Sequence, residues 1–186
     1  MTDGFSNQER KVQIPRKWGS IFVWAGLLGI LLLLALGLTR ARQGPVGVGE
    51  TVPDFILTTF DGKQIDIKDL RGKVVVINFW ASWCGPCEEE AVELEQTYQN
   101  FKDQDVVFLG VDFADTETEA LAYLAKYNIT YPNGPDLGTR ISQAFRTRGV
   151  PETYIVGRDG MLVSVKIGPY ISLAEIENVV LAALGK

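Results

Sequence analysis

Histidine is absent from this 186-residue chain, and cysteine occurs only twice. Without His there is no Ser-His or Cys-His dyad, no His-ligated haem and no His-bound zinc. Two Cys cannot build a disulfide-rich scaffold, nor supply the four thiolates of a zinc or iron–sulfur site from one chain. Positive charge is in short supply: 18 Lys and Arg face 23 Asp and Glu, a net charge of -5. With no basic stripe, nucleic acid is not an expected partner. Internal repeats and low-complexity tracts are missing as well. What remains, 46% apolar and 22% charged, is a globular composition long enough for one domain with appendages or two very small domains.

Hydrophobicity and charge are unevenly placed. Gly19 to Leu38 (GSIFVWAGLLGILLLLALGL) carries no charge and shows no polar face beyond Ser20. Helical, it would span about 30 Å, the thickness of a bilayer's hydrocarbon core. Trp18 and Trp24 lie toward its N-terminal end, where interfacial anchors belong. Arg10, Lys11, Arg16 and Lys17 precede the run, and only Arg40 and Arg42 follow it, so the positive-inside rule puts the N-terminus in the cytoplasm. A cleaved signal peptide is the rival reading, with Ala35-Leu36-Gly37 a passable cleavage site, although its apolar region would be shorter, about 7–15 residues. Either way the C-terminal part is expected to be exported. The division is residues 1–18 as a cytoplasmic tail, 19–38 as a signal-anchor helix in the lipid bilayer of the cytoplasmic membrane, 39–49 as a linker, and 50–186 as the exported domain. That domain is acidic, because residues 1–42 hold six basic and two acidic side chains and the remainder the acidic excess. The acidity suits a solubilising surface, or steering toward basic partners.

Within the exported part, Phe55–Thr59 and Gln64–Ile67 flank Asp61-Gly62 as a hairpin. Lys73–Trp80 (KVVVINFW) and Val106–Val111 are continuous apolar runs rich in Val, as buried strands require. Pro86–Phe101 has helical spacing, with Ala91, Leu94, Tyr98 and Phe101 on one face. Thr116–Tyr127 is expected to be a helix with Leu121, Leu124 and Ala125 inward, and Gly138–Phe145 a short one. Thr153–Val156 and Leu162–Ile167 flank Asp159-Gly160 as a second hairpin. Ser172–Leu184 closes the chain, with Ser172 and Glu175 spaced as a capping box. The order βββαβα(α)ββα is that of an α/β domain with a mixed sheet and helices on both faces.

The chemistry concentrates in Trp83-Cys84-Gly85-Pro86-Cys87, between a buried strand and a helix. A disulfide closing so small a loop gains little as a brace, but it makes good sense as a redox couple. Cys84 would sit at the helix N-terminus, where free N–H groups and the dipole favour a thiolate. Cys87, one turn on, would be less exposed and would resolve a mixed disulfide. Gly85 and Pro86 fit the tight start of a helix. A c-type haem site would need His after the second Cys, where Glu88 stands. A zinc site would need two more ligands, and only carboxylates remain.

The motif, with KVVVINFWAS before it, resembles the thioredoxin superfamily. The opening VGETVPDFILTTFDGKQIDIKDLRGK resembles its membrane-anchored, exported branch, the TlpA-like, ResA-like and DsbE/CcmG-like thiol–disulfide oxidoreductases. Arg148–Val156 (RGVPETYIV) is similar to that family's cis-proline segment, and the likeness runs from Val48 to Lys186. It implies a thioredoxin-like fold with an N-terminal β-hairpin and a helical insertion over Ala114–Gly149. It implies Cys84 as attacking thiol, Cys87 as resolving thiol, and Pro151 as a cis-proline that lets Val150 offer its backbone to a substrate chain. Asn78 stands where ordinary thioredoxins carry a buried Asp, and is expected as a hydrogen-bonding core residue. Glu90 matches the family's glutamate one turn after the second Cys and is the candidate proton acceptor. Val92 replaces the proline usual nearby, which bears on the aim of Glu90. Glu88 and Glu89 add negative potential that opposes a thiolate at Cys84. Trp83, Gly85, Pro86, Val150, Pro151 and Glu152 are the expected substrate-binding surface.

No cofactor is expected beyond the redox-active Cys84–Cys87 disulfide, and no metal. The resemblance implies protein disulfide or dithiol substrates, with apocytochrome c as the candidate client during cytochrome c maturation. It also implies a membrane thiol electron donor of the CcdA/DsbD type. Three alternatives stand beside this reading. An oxidase or broader reductase would use the same motif at a different potential. A peroxiredoxin-like peroxidase would share Pro53-Asp54-Phe55 and Gly72-Lys73, but the Pro and Thr expected before its reactive Cys are absent. A non-redox assembly module would hold apoproteins on the strand edge at Pro151.

Overall fold

The computed structural model describes residues 16–41 and 44–185, which form two units divided between Gln43 and Gly44. The expected basic flank at Arg10, Lys11 and Arg42 lies outside the described residues.

Of the first unit the described residues are those of one helix, α1 (Arg16–Ala41). It runs through the start of the expected linker. Its stretch Ser20–Leu38 is long and apolar enough to cross a membrane, and none of it is buried against protein.

The second unit begins at Gly44 rather than at the expected Glu50. Val46 is buried and its N–H donates to the Phe145 carbonyl, while Gly49 N–H donates to the Leu162 carbonyl. The segment read as linker is therefore partly stitched into the fold. A hairpin of β1 (Ile56–Thr58) and β2 (Gln64–Asp66) leads into a 3-10 turn at Ile67–Leu70. Then come β3 (Val74–Trp80), α2 (Gly85–Phe101), β4 (Val106–Phe113), α3 (Glu117–Lys126), β5 (Asn133–Asp136), α4 (Arg140–Phe145), β6 (Glu152–Val156), β7 (Leu162–Ile167) and α5 (Leu173–Leu184).

The main sheet runs β5-β4-β3-β6-β7. β3, β4 and β5 are parallel, and β6 and β7 are antiparallel to their neighbours. Every residue of β3 is buried, because both sheet faces are covered. Strand alternation divides the core. Val75, Ile77 and Phe79 face a cluster with Leu57 of the hairpin and Phe145 of α4, while Val74 and Val76 face Leu94 and Phe101 of α2 and Ile176 and Val180 of α5. Each such side chain contributes about 1.5–3 kcal/mol on burial. This is the thioredoxin-like α/β fold with a mixed sheet.

Three expectations need correction. β5, Asn-Gly-Pro-Asp, carries turn residues and no strand pattern, and was not expected as a strand. It is an edge strand, where a missing proline N–H is tolerated. A Cβ at Gly134 would strike the Thr58 carbonyl, so glycine is what allows β1 to lie close. In α3, Leu121 and Ala125 face solvent, and Ala120 and Tyr123 turn inward with Leu124 and Tyr127 partly covered. The aromatic stripe wins because Tyr123 stacks on Trp80 with ring centroids 4.5 Å apart. At α5, Ser172 makes no side-chain cap. Glu175 instead accepts from Lys166 Nζ at 2.5 Å and from the Ile171 N–H at 3.4 Å.

Candidate active site

β3 ends at Trp80, and the chain turns through Ala81–Trp83 into α2. Cys84 is the N-cap residue, extended, with Gly85 and Pro86 opening the helix. Its Sγ accepts from the Cys87 N–H at 3.2 Å, and the two cysteines are disulfide-bonded with Cα atoms 5.3 Å apart. A sulfur that receives a helix N-terminal N–H is stabilised as thiolate after reduction. Cys84 is 5% exposed and Cys87 1%. Both pack with Trp80, Ala91, Ala120 and Tyr123, with Val150 against them. Tyr123 Oη donates to the Cys87 carbonyl at 2.7 Å, a tie from α3 to α2 that no local pattern announces. Burial holds the Tyr123 hydroxyl well above its ordinary range.

The Val150–Pro151 peptide is cis. Pro86 shares with Arg148, Val150, Pro151, Ile167 and Pro169 an open hollow of about 360 Å³, so the start of α2 and the cis-proline loop form one surface. Glu152 borders that hollow but does not present its carboxylate to it. It is 1% exposed. Its Oε1 accepts from the N–H groups of Arg148 (2.8 Å) and Gly149 (3.3 Å), and its Oε2 from Tyr154 Oη (2.6 Å). The carboxylate thus shapes the loop that carries Pro151.

Glu90, one turn beyond Cys87, is 1% exposed on the face of α2 against the sheet. Its Oε1 accepts from Asn78 Nδ2 at 2.7 Å and its Oε2 from the Tyr170 N–H at 2.9 Å. Asn78 also donates to Thr153 Oγ1 at 3.0 Å, which places it as the expected hydrogen-bonding core residue. Burial outweighs these hydrogen bonds and lifts Glu90 to about 7. α2 is continuous through Val92. Both Glu90 oxygens are directed to Asn78 and Tyr170 rather than to either sulfur.

The acidic start of α2 is partly neutralised. Glu88 Oε2 lies 3.1 Å from Lys126 Nζ and 2.5 Å from Tyr127 Oη, which lower its pKa. Trp83 is 59% exposed, in edge contact with Phe113 at 6.4 Å, and borders a second hollow with Glu88, Glu119 and Lys126. Sequence reasoning also missed Asp115, buried behind this loop, whose Oδ2 accepts the Ser82 N–H at 2.6 Å. A lone Asp after a strand carries no signal for that role.

The comparisons agree with this geometry. The AhpC/TSA family model matches residues 48–165. The thiol-disulfide oxidoreductase ResA of Bacillus cereus is 33% identical over 146 residues, covering 75% of this chain and 84% of that protein. ResA of Bacillus subtilis is 29% identical over 158 residues, covering 82% and 88%. Among solved structures, a putative thiol:disulfide interchange protein DsbE from Chlorobium tepidum superposes with a TM-score of 0.70 at 26% identity, covering 75% of this chain and 99% of that one. A secreted Mycobacterium tuberculosis disulfide oxidoreductase homologous to E. coli DsbE gives 0.63 at 26% identity, covering 69% and 95%. The chain belongs to the AhpC/TSA family, and within it is a thiol–disulfide oxidoreductase of the ResA/DsbE type.

Proposed function

We propose that this oxidoreductase is tethered by α1 to the cytoplasmic membrane, with its N-terminus in the cytoplasm, and reduces protein disulfides on the outer side. The observation that carries the reading is the Cys84–Cys87 couple at the N-terminus of α2, beside the cis-proline loop and one turn from a buried carboxyl. In the reduced enzyme the Cys84 thiolate attacks a client disulfide. A Cys84–client disulfide forms, and the client's leaving sulfur departs as thiolate and takes up a proton. Cys87 then gives its proton to Glu90, whose value near 7 suits the transfer, and attacks Cys84 Sγ. The Cys84–Cys87 bond reforms, and the client's second sulfur leaves as thiolate and takes up the proton that Glu90 received. The client gains two electrons and two protons. A membrane thiol donor of the CcdA/DsbD type then returns the pair to the dithiol state.

Val150 and Pro151 present backbone to the client, with Trp83, Gly85 and Pro86 flanking the attacked bond, and Glu152 holds the loop in shape. The client class proposed is apocytochrome c, whose Cys pair must be reduced before haem attachment. The chain's ResA and DsbE-like relatives support this family-level reading.

The test is the redox state of the pair in growing cells, read by acid quench and a heavy maleimide. A mostly reduced pair is expected, and Cys87→Ala should then accumulate mixed disulfides with the client. A mostly oxidised pair in cells that contain the donor would overturn the reductase reading in favour of an oxidase.

A further inference from the structure

Asp112 lies in β4 opposite Trp80 in the parallel register with β3, and is fully buried. No hydrogen-bond donor reaches either of its carboxyl oxygens. A carboxylate buried without a donor is costly, so this group keeps its proton and requires an acceptor instead. The polar side chain that acts on it is Asp115, three residues on, in the turn between β4 and α3. Asp115 is differently placed. Its Oδ2 accepts the Ser82 N–H at 2.6 Å and its Oδ1 the Thr116 N–H at 2.7 Å. Two adjoining carboxyl groups do not both ionise readily. Asp112, with no donor to either oxygen, is the one that holds a proton.

The surrounding elements bring no compensating cation. β3 contributes Trp80 at the register partner, and β5 contributes Pro135. α3 packs Ala120 and Tyr123 against Trp80, while its Glu117 and Glu119 are exposed. Asp136, next on β5, is turned to α4, where it accepts from the N–H groups of Ile141 and Ser142. Asp115 is the charged group whose field acts on Asp112.

We infer that Asp112 is a positioning residue for thiol–disulfide exchange: as a neutral acid it donates to Asp115, and the pair clamps the Ser82 N–H just ahead of Cys84. The inference rests on Cys84 being the attacking thiol. Burial and the Asp115 charge lift Asp112 to about 7, so the clamp loosens in the neutral range. Loss of the proton sets two like charges against each other and weakens the hold on Ser82.

The experiment is NMR on the full chain in detergent, with carboxyl-labelled Asp, from pH 5 to 9. The Asp112 carboxyl and the Ser82 amide should titrate with one midpoint near 7. In Asp112→Asn, whose amide can donate to Asp115 without titrating, the Ser82 transition should vanish. Its amide exchange at pH 8 should be about tenfold slower than in the native chain, the scale of one hydrogen bond to a charged group. Attack of reduced Cys84 on a small aromatic disulfide gives the second readout. The ratio of Asp112→Asn to native rates should be near one at pH 6 and rise above pH 7. An Asp112 midpoint near 4, or a Ser82 transition that persists in Asp112→Asn, overturns the clamp. If Asp112→Asn does not fold, the native chain decides, because separate midpoints for Asp112 and Ser82 overturn it too. A native chain that reduces no disulfide at any pH refutes the role of Cys84, while the NMR arms still judge the clamp.

Discussion

Replacing Glu90 with Gln separates what burial costs from what hydrogen bonding returns. The native carboxyl accepts from Asn78 and Tyr170 on different oxygens. Gln keeps one acceptor oxygen and sets an NH2 against the other donor, a mismatch of about 1–2 kcal/mol. Against that stands a linkage term. Burial raises Glu90 from 4.5 to about 7, so the folded state holds a proton that the unfolded chain has released. The folded state is thus favoured below the unfolded value, and stability is lost as pH rises from about 4.5 to about 7, then levels off. One proton over that window is worth about 3 kcal/mol, and Gln lacks it. Asp112 adds a slope of the same sign, present in both proteins, which cancels in the difference. Glu90→Gln should therefore be less stable than the native chain by about 1–2 kcal/mol at pH 5 and more stable by a similar amount at pH 8. The assay is urea unfolding of both oxidised full chains in detergent, from pH 5 to pH 8. A stability difference that does not change with pH would refute the reasoning, since it would mean the buried carboxyl ionises as readily as a free one.

Substitutions at three further positions probe the site's supports. Gly110→Ala would place a Cβ on Asn133 Oδ1 and against Trp80 Nε1, breaking the 2.8 Å bond between those groups. A loss of at least about 2 kcal/mol is expected in thermal unfolding, and an unchanged midpoint would contradict it. Glu152→Ala leaves two loop N–H groups and the Tyr154 hydroxyl without their acceptor, which should cost about 2–4 kcal/mol and raise KM for a protein disulfide. Glu152→Gln should recover part of both, and equal effects of the two changes would argue against a loop-shaping role. Trp83→Ala, at an exposed position, should shift stability by less than about 0.5 kcal/mol. It should slow reduction of a protein disulfide more than that of a small one, and equal slowing would deny Trp83 a part in client binding.

Much of this architecture was legible because local patterns carried it. Lys73–Trp80 and Val106–Val111 are runs that only a covered strand can use, and they became β3 and β4. The cysteine spacing, with Pro86 at the helix start, marked the dithiol, and the Arg148–Val156 resemblance located the cis peptide. Other features were set by partners distant in sequence. β5 is a strand because an edge accepts Pro135 and because β1 approaches Gly134. The inward face of α3 follows the stacking of Tyr123 on Trp80, and a tally of Leu and Ala could not choose it. Glu152 matched a motif, yet its role turned on two N–H groups of its own loop. Asp112 and Asp115 carry no sequence pattern of their own, and it is the pairing of β3 with β4 and the Ser82 N–H that bring them to the site.

Trp80 packs in one buried cluster with Cys84 and Cys87, and this has an optical consequence. A disulfide in contact with an indole drains its excited state, and here the indole is also immobilised by Asn133 and by the Tyr123 ring. Emission from Trp80 should be dim in the oxidised protein and brighten when Cys84 and Cys87 are reduced. The molecule therefore carries its own dye. With Trp80 as the built-in fluorophore, electron exchange with a donor or a client can be timed in a stopped-flow cuvette without any label.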